Sequence, residues 1–216
     1  MKVALISANL GKFEKTLVSV PQNTDNFELN TYLFTDENFP PRDRVMSPRL
    51  QAKIPKMFGW QMAPGHDFYV WMDAAAFMSK PNAVIWMLTK LGNHDIAFFV
   101  HPHRRRLRQE FEFLRQELPT SNRLKSRYMN ELLEEQFEEI DNGEATLCAA
   151  GIFAYRANAR VRALMKEWWY NTSRYHINDQ LSLPQCLADS DCSVKYIQED
   201  IFNCKYFTFG WRLGRK

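Results

Sequence analysis

Polar or turn-forming residues stand where each of the first four predicted strands ends. They are Asn9, Gly11 and Lys12 after the first strand, Asp36 after the second, Asp73 after the third, and His101 and His103 after the fourth. In an open α/β sheet, ligands bind outside the carboxyl ends of the strands. The set therefore predicts one shared cleft, although Asp, Asn and Gly are also ordinary turn residues.

Asp73 is the strongest single candidate for a chemical role. It follows an apolar run that ends at Met72, and the small residues Ala74, Ala75 and Ala76 come directly after it. A divalent cation that bridges to phosphate groups suits such a position, because these ions take one or two protein carboxylates together with phosphate oxygens. The alternative is that Asp73 caps the start of a helix.

Arg49, Lys53 and Lys56 have the spacing of one helix face. Such a stripe is usually a solvated surface. If the helix borders the cleft, however, its cations would pair with phosphate groups.

A second basic cluster follows His101 and Pro102 and consists of Arg104, Arg105, Arg106 and Arg108. Pro102 suits the first turn of a helix, where arginines oppose the helix dipole and a bound anion would offset that cost. A solvated basic face and a nucleic-acid patch are the alternatives.

Asp179 lies at the predicted start of another helix, within the segment 175–181 that also contains His176. Capping is the ordinary role of an aspartate there. A carboxylate beside a cleft can instead act as the general base for an acceptor hydroxyl.

The elements that must position these residues alternate between strand and helix patterns, which predicts an α/β fold with a mostly parallel central sheet. We predict strands at 3–8, 29–35, 68–72, 95–100, 147–155 and 194–197. We predict helices at 49–62, interrupted near Pro55, at 82–91, from Leu107 to Leu118, at 132–140, after the cap residue Asn158, and at 179–188. Residues 1–216 are expected to form a single domain.

Composition excludes several classes of protein. The 28 Lys and Arg against 25 Asp and Glu give a net charge of +3, too small to indicate a nucleic-acid-binding protein. Four cysteines without a Cys-x-x-Cys pair argue against a zinc site and a disulfide framework. No apolar run approaches about 20 residues and none resembles a signal peptide, so a cytoplasmic protein without a membrane span is expected. Glycine-rich dinucleotide, Walker and serine-hydrolase motifs are absent from the sequence.

Several short motifs occur in a fixed order. They are Phe34-Thr35-Asp36, the segment from Arg49 to Lys56, Trp71-Met72-Asp73-Ala74, the segment from Phe99 to Arg104, the segment from Ala150 to Arg156, Trp168-Trp169, and Asn178-Asp179-Gln180-Leu181-Ser182. Over residues 1–190 this series resembles a small glycosyltransferase-like family with the GT-A fold. That family was long catalogued as a domain of unknown function and has bacterial, plant and large-virus members.

The resemblance implies transfer of a sugar from a nucleotide-diphospho-sugar, first of all a UDP-sugar, to a glycan hydroxyl. It assigns Ala8, Asn9, Leu10, Gly11, Lys12 and Asp36 to the base and ribose, Arg49 and Lys53 to the ribose and diphosphate, and Trp71, Met72, Asp73 and Ala74 to donor binding. His101 and His103 would lie near the sugar or acceptor. Asp179 falls where inverting members place the catalytic base.

The resemblance also implies a divalent cation, Mn²⁺ or Mg²⁺, because Asp73 falls at the Asp-x-Asp metal motif of GT-A enzymes. Here the second acid is replaced by Ala75, and no histidine follows His176. Two arrangements stay open: a metal held by the phosphates and Asp73, or Arg and Lys charges in its place. A retaining reaction, a non-catalytic nucleotide- or carbohydrate-binding module, and a nucleic-acid-binding protein also remain as alternatives. The basic, aromatic segment 205–216 is expected either to close over the donor or to join a further catalytic domain.

Overall fold

A computed structural model describes residues 1–12, 14, 18–42, 44–122, 133–139, 143–175 and 178–213. The strands are β1 (Lys2–Asn9), β2 (Glu28–Thr35), β3 (Phe68–Met72), β4 (Ala76–Met78), β5 (Ile96–Val100), β6 (Cys148–Tyr155), β7 (Val194–Ile197) and β8 (Phe207–Phe209). The helices are α1 (Pro48–Gln51), α2 (Lys53–Met62), α3 (Ala83–Leu91), α4 (Leu107–Glu117), α5 (Leu133–Glu139), α6 (Ala159–Arg174), α7 (Asp179–Ala188) and α8 (Gly210–Leu213). The predicted positions Leu132, Ile140 and His176 lie outside the described residues.

The central sheet has the strand order β2-β1-β3-β6-β5-β7. β6 runs antiparallel to β3 and β5, and the other neighbouring pairs are parallel. The predicted α/β fold with a mostly parallel central sheet is confirmed. Because β6 is reversed, its first residues, and not its last, lie beside the carboxyl ends of β3 and β5.

Alternating side chains along the strands form two separate apolar layers. Val70 and Met72 of β3 pack with α3, β4 and β8 on one face of the sheet. Tyr69 and Trp71 pack with α2, α6 and α7 on the other face. The helices therefore cover both sides of the sheet, and α2 and α7 lie on the same side.

α2 lies unusually close to β1. A Cβ atom on Gly59 would stand 2.3 Å from Ile6 Cδ1, so any larger residue would require the buried side chain of Ile6 to shift. Gly59 therefore belongs to the contact between β1 and the helix that carries Lys53 and Lys56.

Two local predictions are wrong, at Pro55 and Pro102, and two short strands were not predicted. Pro55 does not interrupt a helix: α1 and α2 are separated at Ala52, and helical backbone is lost again at Phe58. The alanines after Asp73 lead into β4, which pairs with β8 from the segment predicted only as a basic, aromatic tail. Pro102 precedes α4, whose N-cap residue is Arg106. The short strands were missed because each is only three residues long and depends on a distant partner.

Among the helices of the described segments, none is both long and apolar enough to cross a membrane.

Candidate active site

A cavity of about 620 Å³ opens at the carboxyl edge of the sheet. Its walls come from the ends of β1 and β3, the start of β6, and helices α1, α2, α4 and α7. Many residues singled out from the sequence line it, namely Ala8, Asn9, Leu10, Arg49, Lys53, Trp71, Asp73, Ala74, His101 and Asp179. The structure thus brings together residues from most of the predicted motifs.

The remaining candidates, Gly11, Lys12, Asp36, Met72 and His103, are not among the lining residues. The Gly11 N–H donates to both carboxylate oxygens of Asp36, at 2.9 and 3.2 Å, so Asp36 ties the loop after β1 to the end of β2. The side chain of Met72 packs in the opposite apolar layer, because it alternates with Trp71 along β3.

Asp179 is held by two lysines of α2. Lys53 Nζ lies 3.0 Å from its Oδ1 atom, and Lys56 Nζ lies 2.6 Å from its Oδ2 atom. The indole N–H of Trp168 donates to the backbone carbonyl of Asp179 at 2.8 Å, which fixes the first turn of α7. The carboxylate makes ion pairs across the cavity wall, and the N-cap position belongs to Asn178.

Burial and charge oppose one another in this group. Burial alone would raise the pKa of Asp179, but the two lysines outweigh it and lower that pKa to about 2. Burial alone would lower the pKa of Lys56, whose side chain is 2% exposed, but the carboxylates of Asp179 and Asp73 raise it above its usual value. Burial prevails at Lys53, whose pKa is lowered. Lys56 is therefore the more firmly charged of the two lysines.

Asp73 stands directly across from this pair. Its Oδ1 atom accepts a hydrogen bond from Trp71 Nε1 at 2.7 Å and lies 3.5 Å from Lys56 Nζ. Its other oxygen faces Gly151 of β6, where a Cβ atom would stand 3.3 Å away. Asp73 directly follows β3 and precedes a turn into β4, so it does not cap a helix.

The residues around Asp73 fit a resident divalent metal poorly. Within the described part of the chain, no group of three or more His, Cys, Asp or Glu residues could hold a metal ion. The position of the second acid is Ala75, and one oxygen of Asp73 already has an indole N–H and an ammonium as partners. Divalent cations favour oxygen ligands, and here the nearest charged neighbour of the carboxylate is itself a cation.

His101 makes local contacts at the opposite wall of the cavity. Its Nδ1 atom accepts hydrogen bonds from the backbone N–H groups of Arg104 at 3.0 Å and His103 at 3.3 Å. Burial, reinforced by the charges of Arg104 and His103, lowers the pKa of His101 to about 4. The imidazole is therefore neutral at ordinary pH.

Arg104 forms an ion pair with Glu110 of α4, which is buried and also accepts a hydrogen bond from Asn178 Nδ2 at 3.3 Å. Arg106 lies 3.9 Å from a carboxylate oxygen of Glu144. The basic cluster that the sequence placed in a helix turn is thus partly neutralised by acidic neighbours.

Aromatic rings form the outer wall of the cavity. Phe202, Phe209 and Trp211 lie against one another with ring centroids 5.4 to 6.1 Å apart. The ring of His103 stacks on the ring of Phe202, with the two centroids 5.9 Å apart. Trp211 is 41% exposed, so an aromatic surface is accessible beside the polar part of the site.

Sequence reasoning gave no individual role to Glu110 or Gly151, whereas Lys56 was part of the cationic stripe expected to pair with phosphate groups. Glu110 carries a signal, because it is an acid within the apolar spacing of Leu107, Phe111 and Leu114. Gly151 carries none, because its importance depends on the antiparallel pairing of β6 with β3.

Comparison with known proteins agrees with this architecture. The apo structure of the WbbM bifunctional glycosyltransferase superposes with a TM-score of 0.51 at 10% sequence identity, over 90% of this chain. The chain spans 38% of the length of that protein. No curated protein matches the sequence significantly.

A family model, the TOD1/MUCI70 glycosyltransferase-like domain, matches residues 42–209, which is well over half of the chain and contains Arg49, Asp73 and Asp179. The chain therefore belongs to the TOD1/MUCI70 glycosyltransferase-like domain family.

Proposed function

We propose that this chain transfers a glycosyl group from a nucleotide-diphospho-sugar, with UDP as the nucleotide, to a hydroxyl group of a glycan. The observation that carries the proposal is the cavity in which Lys53, Lys56, Asp73 and Asp179 converge. Family membership and the fold of the WbbM neighbour support the glycosyltransferase class.

The proposed reaction needs a base and a stabilised leaving group. The acceptor oxygen bonds to the anomeric carbon while the bond from that carbon to the phosphate oxygen breaks. The bonding electron pair leaves on the nucleoside diphosphate, and the acceptor proton passes to Asp179. Cations fixed near the departing phosphate stabilise its growing negative charge in the transition state. Attack from the side opposite the leaving group gives inversion.

A carboxylate between two ammonium groups is a weak base, because both cations favour its charged form. The donor's diphosphate would compete for the same two lysines. If they turn toward phosphate when the donor binds, Asp179 regains basicity at the moment it is needed. Donor binding and base activation are then coupled through Lys53 and Lys56.

The acceptor would occupy the aromatic side of the cavity. Sugar rings have apolar faces that stack on aromatic side chains, and Phe202 and Trp211 offer such surfaces. Neutral His101 would then border the sugar or acceptor without carrying charge into the site, and His103 would lie behind Phe202.

A non-catalytic nucleotide- or carbohydrate-binding module is the second candidate. The pairing of Asp179 with two lysines favours it, since that pairing alone would keep the carboxylate inactive.

Incubation with a panel of nucleotide sugars and short glycans separates the two candidates. Glycan products with the opposite anomeric configuration by NMR support the transferase, whereas donor binding without hydrolysis or transfer supports the module. If none of the nucleotide sugars or glycans binds, both candidate functions are contradicted.

A further inference from the structure

The binding mode of the donor's diphosphate can be argued from the charged groups of the cavity. The argument rests on the proposed function, because it concerns the same site. We infer that Lys53 and Lys56 neutralise the diphosphate directly and that the nucleotide binds without a divalent metal.

The carboxylates of the cavity are already engaged by other groups. Glycosyltransferases that hold a metal need acidic oxygens facing the phosphates, and Asp73 is followed by Ala75 where a second acid would stand. Asp73 Oδ1 is occupied by Trp71 Nε1 and faces Lys56 Nζ. Asp179 has both of its oxygens in contact with ammonium groups. Neither acid presents an unobstructed pair of oxygens to a cation.

Both lysines at the cavity wall are largely buried. Lys56 is 2% exposed and Lys53 is 15% exposed, although burying an ammonium is costly. Lys56 is retained between the rings of Trp71 and Trp168, with its Nζ atom 5.7 Å from each ring centroid. A buried cation with this much support, at the wall of a cavity, is suited to an anionic ligand.

Both lysines keep hydrogen-bonding capacity for a further ligand. An ammonium has three N–H donors, so Lys53, which contacts Asp179, and Lys56, which contacts Asp179 and Asp73, each keep at least one N–H for a phosphate oxygen. Asp179 holds the two ammonium groups together, and Arg49 of α1 lines the same wall. The ends of α1 and α2 thus place positive charge where a metal would otherwise supply it.

Calorimetric titration with UDP, GDP, ADP and CDP, and with the matching nucleosides, tests the inference on the wild-type chain. Each titration is done in EDTA and again with excess MnCl₂. We expect one diphosphate to bind with dissociation constants that agree within about threefold between the two conditions, and its nucleoside to bind at least about tenfold more weakly. Binding that is tighter in Mn²⁺ than in EDTA by more than about threefold overturns the inference and leaves the proposed function standing. No diphosphate binding in either condition overturns both.

A variant at Lys53 tests the direct contact. Lys53→Gln should weaken binding of that diphosphate about tenfold in EDTA, as expected when a charge-assisted hydrogen bond is lost. The matched control is Lys90→Gln, which removes a lysine that is ion-paired with Glu199 outside the cavity. Equal affinity of Lys53→Gln and the control would contradict the proposed contact. The wild-type comparison between EDTA and MnCl₂ does not depend on the folding of any variant.

Discussion

The carboxylates of Asp73 and Asp179, which are far apart in the sequence, meet at the single ammonium of Lys56. Its Nζ atom lies 3.5 Å from Asp73 Oδ1 and 2.6 Å from Asp179 Oδ2. One buried cation therefore links the end of β3 to the start of α7. Any change at one carboxylate changes the electrostatic environment of the other.

Asp179→Asn should lower kcat about 10²-fold or more while leaving the donor's dissociation constant unchanged or lower, because the lysines keep their charge for the phosphates. The variant should also lose about 3 kcal/mol of unfolding free energy, since buried Lys53 loses its carboxylate partner and Lys56 keeps only the partly exposed Asp73. Kinetics and urea unfolding at the same temperature measure both effects. Asp189→Asn, at the exposed end of α7, is the control. A turnover within about threefold of wild type would show that Asp179 only holds the lysines.

Asp73→Ala should abolish transfer with a loss of unfolding free energy within about 1 kcal/mol, because the carboxylate is 40% exposed and Lys56 keeps Asp179 as its partner. Activity assays and thermal unfolding provide the two measurements. Asp67→Ala is a suitable control, since Asp67 binds the backbone N–H of Lys2 before β3 begins. Undiminished turnover in Asp73→Ala would remove this residue from the mechanism.

Gly151→Ala tests the contact between β6 and Asp73. The new Cβ atom would lie 3.3 Å from Asp73 Oδ2, so the carboxylate must move by a few tenths of an ångström. We expect about a fivefold loss of kcat with little change in the melting temperature, because a small displacement of a group in the active site lowers the reaction rate. Gly143→Ala makes a similarly close contact with Arg108, at 3.2 Å, outside the cavity lining. Equal activity of the two variants would contradict the prediction.

Trp211→Ala should raise the KM for the glycan acceptor about tenfold and leave donor affinity unchanged, because stacking on an aromatic face is lost only on the acceptor side. The matched control is Tyr170→Ala, which removes another exposed ring, on α6. Steady-state kinetics with each substrate varied in turn separates the two constants. If the KM for the donor rises and the KM for the acceptor does not, Trp211 lies over the nucleotide.

Stability should fall as the pH drops from about 6.5 toward 4, because the pKa of His101 is lowered to about 4 in the folded chain. In that range the unfolded chain binds the proton and the folded chain does not, so acid favours unfolding. The full effect is at most about 3 kcal/mol. Asp179 contributes to the stability of the fold in a separate pH range. Its stabilising charge is lost only as the pH falls from about 3.8 through 2.

Urea unfolding of wild type and His101→Gln at pH 7 and at pH 5 measures the histidine contribution. The variant should lose less stability than wild type between these two values. If wild type and His101→Gln lose equal amounts of unfolding free energy between pH 7 and pH 5, the pKa of His101 is not lowered in the folded chain.

The sequence was sufficient to predict most strands and helices, because their signals are local. Short, continuous apolar runs mark β3 and β5, and Asn158 accepts a hydrogen bond from Val161 N as a helix cap must. The strand ends also located Asp73 at the ligand-binding edge, since the carboxyl ends of strands in an α/β sheet converge there.

The tertiary structure alone decided which charges meet. Alternation along a strand does not encode its direction, so the reversal of β6, and with it the place of Gly151 beside Asp73, could not be predicted. The lysine stripe was visible in the sequence, but whether it faced solvent or a carboxylate depended on how α2 packs beside the start of α7. The pairing of Lys53 and Lys56 with Asp179 is a contact between distant segments, and its energy depends on burial that only the folded chain provides.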